Sequence, residues 1–290
     1  MSKAAVRAIK FFEAFANTGV RGKITAKFFS GLLKVIKPRA KVIDENLKIA
    51  YPESSEQWRK DMRAKCYENL AWTVTELLAL QRDTSQVFDW IKKVHNEKLA
   101  FELLAEKKGV IFLSGHFGNW EILSSWYSQY ARKHGHKLNI VSQELHDEDI
   151  SRYVHEMREN SQEELLPKEL SVQKYARLLK NGMHLALLND IAGTGRMMVP
   201  FMGKDATNMP GPVVMAMLAG VPIIPVCIYR NAPFEHEIEF FDPVNLPDKD
   251  KSINHDERVK LAVLECNKAL EKFIRKRPEL WFWLHKRWRP

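Results

Sequence analysis

The chain has 290 residues, room for one large domain or two small ones, and its 45% hydrophobic content excludes a disordered chain. Three cysteines without motif spacing, Cys66, Cys227 and Cys266, argue against a disulfide framework and a zinc ribbon and fit a reducing compartment. The formal charge of +9 sits at the ends: residues 1–41 hold ten basic residues against one acid, Glu13, and Lys272, Arg275, Lys276 and Arg277 are followed by Lys286, Arg287 and Arg289. Such ends suit an anionic partner, either nucleic acid or an anionic membrane surface.

In chain order, no apolar run reaches the ~18–20 residues of a spanning helix. Glu13 interrupts FFEAFA, so a signal peptide is not expected either. Val6, Ile9, Phe12 and Phe15 fall near helical spacing in residues 4–16. Ile24, Phe28, Leu32, Leu33, Val35 and Ile36 do so in residues 24–36, with Lys and Arg opposite. Two readings stand for these segments: interfacial amphipathic helices or ordinary helices packed on their own domain. Pro52 closes the next short helix. Ser54 and Gln57 then form a capping-box pattern for a helix to about Leu80, with Leu70, Val74, Leu77 and Leu78 on its apolar face.

From residue 109 short apolar strands alternate with helical segments. Strands are predicted at 110–113, 138–142, 184–188 and 223–228, and helices at about 119–133, 149–160, 171–181, 210–219 and 255–276. This order implies an α/β fold, a mixed, largely parallel sheet flanked by helices, with an amphipathic helical N-terminal extension. The expected organisation is membrane-associating helices over 1–42 and a single α/β domain over 43–290.

His116 follows the first of these strands by two residues, in GVIFLSGHFGNWEIL. Ligands of open α/β sheets bind beyond the carboxyl ends of strands. Gly115 and Gly118 permit a tight turn, Asn119 can cap the next helix, and Glu121 lies in its first turn. On one helix, residues five apart would point about 140° away from each other. The pair converges only with His116 on the loop and Glu121 on the helix. A carboxylate on one imidazole nitrogen would fix the tautomer and leave the other as a general base. The competing reading is a structural histidine with Glu121 merely favouring the helix dipole. The spacing does not fit a zinc protease.

His116-x₄-Glu121 is joined by further stretches in collinear order: ENLKIAYPE (45–53), LLKNGMHLALLND (178–190), VPFMGKDATNMPGPVVMAMLAGVPIIPVCIYR (199–230) and PELWFWLHKRW (278–288). Together they resemble the late acyltransferases of lipid A biosynthesis, the lauroyl/myristoyl family within the lysophospholipid acyltransferase superfamily. The resemblance implies transfer of a fatty acyl group from a thioester on acyl carrier protein to a hydroxyl of a membrane glycolipid. It gives His116 the role of base and Glu121 that of orienting it. Arg158 and Asp190 are the next functional residues by family position, Arg158 suiting phosphate or carboxylate. Gly118 and Asn119 are expected on the substrate side of the turn. Backbone near 115–118 and a nearby arginine are candidates for the oxyanion donors. Arg196 and Lys204 could meet acceptor phosphates or be solvated surface charges.

The expected partners are acyl carrier protein and an anionic glycolipid; no cofactor, metal or nucleic acid is implied. The expected location is the cytoplasmic face of the bacterial inner membrane, peripheral or interfacially anchored. Trp281, Trp283 and Trp288 beside Lys286 and Arg287 suit a membrane interface or stacking on single-stranded nucleic acid; the resemblance favours the first, with some of these tryptophans simply in the core. The chain departs from the family pattern in Ile191 after Asp190 and in the acidic SQELHDED after the second strand. Alternative readings keep the dyad but transfer an aminoacyl or short acyl group, or acylate a mannosylated phospholipid. A non-enzymatic alternative is a basic protein that binds membrane or nucleic acid.

Overall fold

The computed structural model describes residues 2–99, 102, 108–142, 148–167, 170–191, 197–247 and 253–288. Helices α1 (Ser2–Phe15), α2 (Val20–Ile36), α3 (Ala40–Ala50) and α4 (Glu56–Leu80) come first. The cap of α4 is Ser55, whose hydroxyl accepts from the Trp58 N–H at 3.1 Å. That is one residue after the expected Ser54, which instead donates to the Tyr51 carbonyl at 2.6 Å. Gln57 donates to Asp61, so no capping box closes.

The strands that follow are β1 (Ile91–His95), β2 (Val110–Ser114), β3 (Leu138–Ser142), β4 (Glu164–Pro167), β5 (His184–Leu188), β6 (Met197–Phe201), β7 (Lys204–Asn208), β8 (Ile223–Ala232) and β9 (Glu235–Phe240). Seven of them form one sheet in the order β1-β9-β8-β2-β5-β3-β4, and β6 and β7 form a separate antiparallel hairpin. The five strands β4, β3, β5, β2 and β8 run parallel; β9 turns back against β8 and β1 follows it. The expected mixed, largely parallel sheet is therefore present, with all four anticipated strands in it.

Every residue of β2 is buried, as befits a central parallel strand covered on both faces. Side chains alternate between those faces. Val110 and Phe112 pack with Ile122, Trp126 and Tyr127 of the helix Trp120–Lys133 and with Leu78 and Leu80 of α4. Ile111 and Leu113 pack with Tyr175 and Leu179 of the helix Val172–Lys180, Ala216 of Gly211–Ala219, and Val263 and Cys266 of His255–Lys276.

A third cluster joins Ile43 and Leu47 of α3, Met62 and Tyr67 of α4, and Trp281, Trp283 and Leu284 near the C-terminus. Trp281 and Trp283 are thus among the tryptophans that lie in the core rather than at an interface. Trp283 and Arg287 are fully buried, Arg287 donating to Asn208 Oδ1 at 2.7 Å and lying over the Phe201 ring. Trp288 is partly buried and donates to the Phe201 carbonyl at 3.1 Å.

Helix α2 docks through small residues: Gly22, Thr25, Ala26 and Ser30 are buried. Its large apolar residues Val20, Ile24, Phe28, Leu32 and Val35, spaced by four and three, form an exposed stripe. In α1, Ile9 and Phe12 pack on the core while Phe11 is exposed. On α4, Val74 is exposed rather than part of the apolar face, and Thr73 and Glu76 are buried instead.

Glu76 is at the centre of a buried polar network. Arg230 of β8 grips it with two bonds, Nε to Oε1 at 2.9 Å and Nη2 to Oε2 at 2.8 Å. The Asn119 amide donates to Oε2 at 2.9 Å, and the Phe234 N–H to Oε1 at 3.2 Å. Arg230 also donates to the side chains of Thr73 and Asn69. Burial alone would push the Glu76 carboxyl up, but the charges of Arg230 and His236 hold it well below the usual range. Removing one partner of such a pair strands the other charge. Arg230→Met is therefore expected to cost about 3–5 kcal/mol in urea unfolding at neutral pH. The stability that Glu76 contributes is full above the unfolded carboxyl's pKa of about 4.3. It is lost as the pH falls towards the depressed folded value, so the gap between Arg230→Met and wild type should narrow on acidification.

Candidate active site

The site lies beyond the carboxyl ends of β2 and β5, which are hydrogen-bonded neighbours. Their register aligns Ser114 with Leu188. Two residues past each strand end stand His116 and Asp190. The carboxylate bound to the imidazole is thus Asp190: its Oδ1 is 2.8 Å from His116 Nδ1, and its Oδ2 accepts the His116 backbone N–H at 2.7 Å. Trp281 Nε1 donates to the same Oδ2, also at 2.7 Å.

This corrects the expected His116–Glu121 contact. Glu121 is in the first turn of its helix as anticipated, but its Oε1 accepts from Arg158 Nη2 at 2.9 Å and from Trp120 Nε1 at 3.1 Å. Its Oε2 faces Arg158 Nε at 3.4 Å. Asp190, expected to meet substrate, is only 3% exposed and is occupied by His116 and Trp281.

An ionised carboxylate only accepts, so Nδ1 carries the imidazole proton and Nε2 presents its lone pair. The Asp190 carboxyl, which burial would push up, is held below its usual value by His116 and by the three N–H bonds. His116 responds in the opposite sense. Burial disfavours its imidazolium, but the charge and hydrogen bond of Asp190, with a contribution from Glu121, outweigh that and raise its pKa above the ordinary histidine value. The result is a fixed tautomer of increased basicity. The ring is flanked by Trp120, edge-on at 5.0 Å between centroids, and by Phe282 at 6.1 Å.

The turn that carries His116 is clamped by the C-terminal segment. The Phe282 N–H donates to the His116 carbonyl at 2.9 Å, and the Gly118 N–H donates to the Leu280 carbonyl at 2.8 Å. Phe117 and Trp281 form an antiparallel bridge. Gly118 has φ +60°, and a Cβ there would overlap the Ile228 carbonyl oxygen, so only glycine fits. At Gly115 a Cβ would press on the Asp190 carboxylate.

The backbone N–H groups of His116, Phe117 and Gly118 are all engaged, the second with the Gly115 carbonyl at 2.7 Å. These three are not spare oxyanion donors, which removes them from the candidates in 115–118. Asn119 is fully buried; it caps the helix at Ile122 N and binds Glu76 and the Thr73 carbonyl, a framework position rather than a substrate contact. Arg158, on the helix Glu148–Asn160, is mostly buried between Glu121 and Glu163. Burial works against its charge, but the two glutamates outweigh it and keep the guanidinium firmly protonated. Lys204 is exposed at the start of β7, and no contact ties it to His116 among the described residues. Arg196 lies outside the described residues. Among the described residues no group of His, Cys, Asp and Glu is arranged to hold a metal ion.

Trp281, which the sequence offered only as one of a group of interfacial or core tryptophans, is a site residue through its bond to Asp190. The signal that could have found the His116–Asp190 pair is positional: each stands two residues beyond the end of a five-residue strand with a four-residue apolar run.

A sequence model of the bacterial lipid A biosynthesis acyltransferases matches residues 14–290. The lipid A biosynthesis lauroyltransferase of Escherichia coli (strain K12) is 24% identical over 263 residues, which are 89% of this chain and 81% of that protein.

The clamp on His116 has a direct spectroscopic consequence. Asp190→Asn removes the charge that raises the imidazole pKa and leaves burial, which lowers it. The His116 titration followed by NMR should therefore move from above the ordinary value of about 6.5 to below it. An unmoved titration would show that Asp190 does not set the basicity of His116.

Proposed function

The chain belongs to the bacterial lipid A biosynthesis acyltransferase family and is an acyltransferase, and from that premise we propose that it moves an acyl group from an acyl carrier protein thioester to a hydroxyl of a lipid A precursor. The observation that carries this reading is the buried Asp190 clamp on Nδ1 of His116, which leaves Nε2 as a base at the mouth of the sheet. His116 Nε2 takes the proton of the acceptor hydroxyl as its oxygen attacks the thioester carbonyl. The tetrahedral oxyanion collapses, the C–S bond breaks, and the leaving thiolate recovers the proton from the imidazolium. The products are the ester and the free carrier thiol.

Asp190 orients the ring and stabilises the imidazolium formed in the first step. Glu121 acts on His116 through its charge rather than through a hydrogen bond, and it holds Arg158 beside the centre. Arg158 supplies the positive charge where the carbonyl oxygen becomes an anion.

A lipid acceptor stays at the bilayer surface, so the reaction requires the enzyme there. The exposed stripe of α2, from Val20 to Val35, with Arg21, Lys23, Lys27 and Lys34 around it, supports interfacial binding to an anionic leaflet. Among the described residues no helix is long and apolar enough to cross a membrane.

His116→Ala is expected to lower transfer from acyl carrier protein to lipid acceptor by about 10²–10⁴-fold with an unchanged circular dichroism spectrum. Full transfer by that variant would sink the role of His116. Mass spectrometry of lipid A from cells with and without the gene reads the substrate class directly, because the mass added identifies the acyl group. For the membrane surface, Ile24→Glu with Phe28→Glu should cut sedimentation with anionic vesicles by at least about tenfold, since each exposed side chain loses several CH₂ equivalents of burial. Undiminished sedimentation would place the membrane contact elsewhere.

A further inference from the structure

Arg158 stands between two carboxyl groups that are not equivalent. Glu121 offers both oxygens within hydrogen-bond range of the guanidinium and accepts a third bond from Trp120. Glu163, in the turn after the helix Glu148–Asn160, has its side chain only 1% exposed. Its backbone N–H donates to the Arg158 carbonyl at 3.1 Å, which fixes it next to that residue. Its Oε2 nevertheless stays 3.9 Å from Arg158 Nε and accepts no hydrogen bond among the described residues.

The groups that face it are Glu121 and Ser124 from one helix and Arg158 from the other. The nearby surface charges Glu164, Arg132 and Lys137 pair with one another outside, at 2.7 and 2.9 Å. Two buried carboxylates beside one cation cannot both ionise without a large penalty. Glu121 takes three donors, whereas Glu163 has only Ser124 beside it and an Oε2 that accepts none, so Glu163 is the one that keeps its proton.

We propose that Glu163 is a positioning residue for acyl transfer: neutral, it leaves Arg158 to Glu121 and the reacting centre, and ionised, it draws Arg158 back from Glu121 into the protein. Burial, with the charge of Glu121 added, pushes the Glu163 carboxyl up to about 8 against the opposing pull of Arg158. Ionisation therefore falls just above neutral pH. Withdrawal of the guanidinium removes positive charge from beside His116, where the thioester oxyanion develops. The inference rests on the acyl-transfer reading above, and it adds an alkaline limit to that activity with a named cause.

The test compares the pH dependence of kcat/KM for wild type and Glu163→Gln, the neutral isostere of the protonated acid. Wild type should lose activity about tenfold from pH 7 to pH 9, following ionisation of one group near 8, whereas the E163Q profile should change less than about twofold over that range. A wild-type profile flat to pH 9, or an alkaline fall that E163Q keeps, overturns the proposal.

A thermal melt gives a second readout that does not depend on the reaction. A carboxyl whose folded pKa lies above its unfolded value costs stability progressively as pH rises between the two. The Tm of E163Q should therefore exceed that of wild type by a margin that widens from pH 5 to pH 8, and a constant margin overturns the proposal. The wild-type control separates the two readings. Transfer at pH 7 with an E163Q profile identical to wild type removes only the role of Glu163; no transfer by wild type at any pH removes the acyl-transfer reading and this one with it.

Discussion

The carboxylate of Asp190 is almost completely removed from water, and an ionised group in that position must be met by donors or give up its charge. Three N–H groups meet it: the His116 backbone, the His116 ring and the Trp281 indole. They come from the loop after β2 and from the C-terminal segment, while the carboxylate itself follows β5. One charge thus ties together three stretches of chain far apart in sequence. It explains why a side chain at Gly115 would crowd the carboxylate, why the Trp281 indole is interior, and why the tautomer of His116 is not free to change.

The clamp needs a rigid floor, which the Glu76–Arg230 network provides. Asn69 and Thr73 from α4 bind the Leu280 and Gly118 carbonyls at about the level where Asn119 binds Glu76. The turn is therefore held from below by α4 and from the side by residues 280–282. Neither network faces substrate. Both fix a loop that would otherwise have the freedom its glycines allow, and a reacting histidine misplaced by an ångström loses much of its rate.

Much of this frame is legible in the sequence, and the reasons differ from one element to the next. The parallel strands β2, β3, β5 and β8 are readable because burial on both faces demands unbroken apolar runs such as VIFL and IIPV. β9, with glutamates at alternate positions in EHEIEF, and the short β1 and β4 carry no such signal. His116 stands out as the polar residue that follows a strand. Its partner does not, because Asp190 is 74 residues away and the pairing depends on β5 lying beside β2 although β3 and β4 come between them in the chain. Glu121 is nearer in sequence and of the right chemistry, but the local turn directs it to Arg158. The terminal WFWLHKRW has a composition common to interfacial belts and to buried aromatic clasps, and only the topology decides between them.

Four acidic side chains around this centre have four different surroundings, and these assign their states. Asp190 has three donors and stays ionised as the anchor of His116. Glu76 is paired with a guanidinium in a closed frame and is structural. Glu121 has three donors, two of them from Arg158, and lends its field to the imidazole. Glu163 stays 3.9 Å from the same arginine, faces the charge of Glu121 and has an Oε2 that no donor reaches, so it is the group that gives up its charge. The same functional group is thereby made anchor, strut, field source and proton-bearing neighbour by which donors reach it, and those donors are set by the segments that pack against the carboxyl end of the sheet.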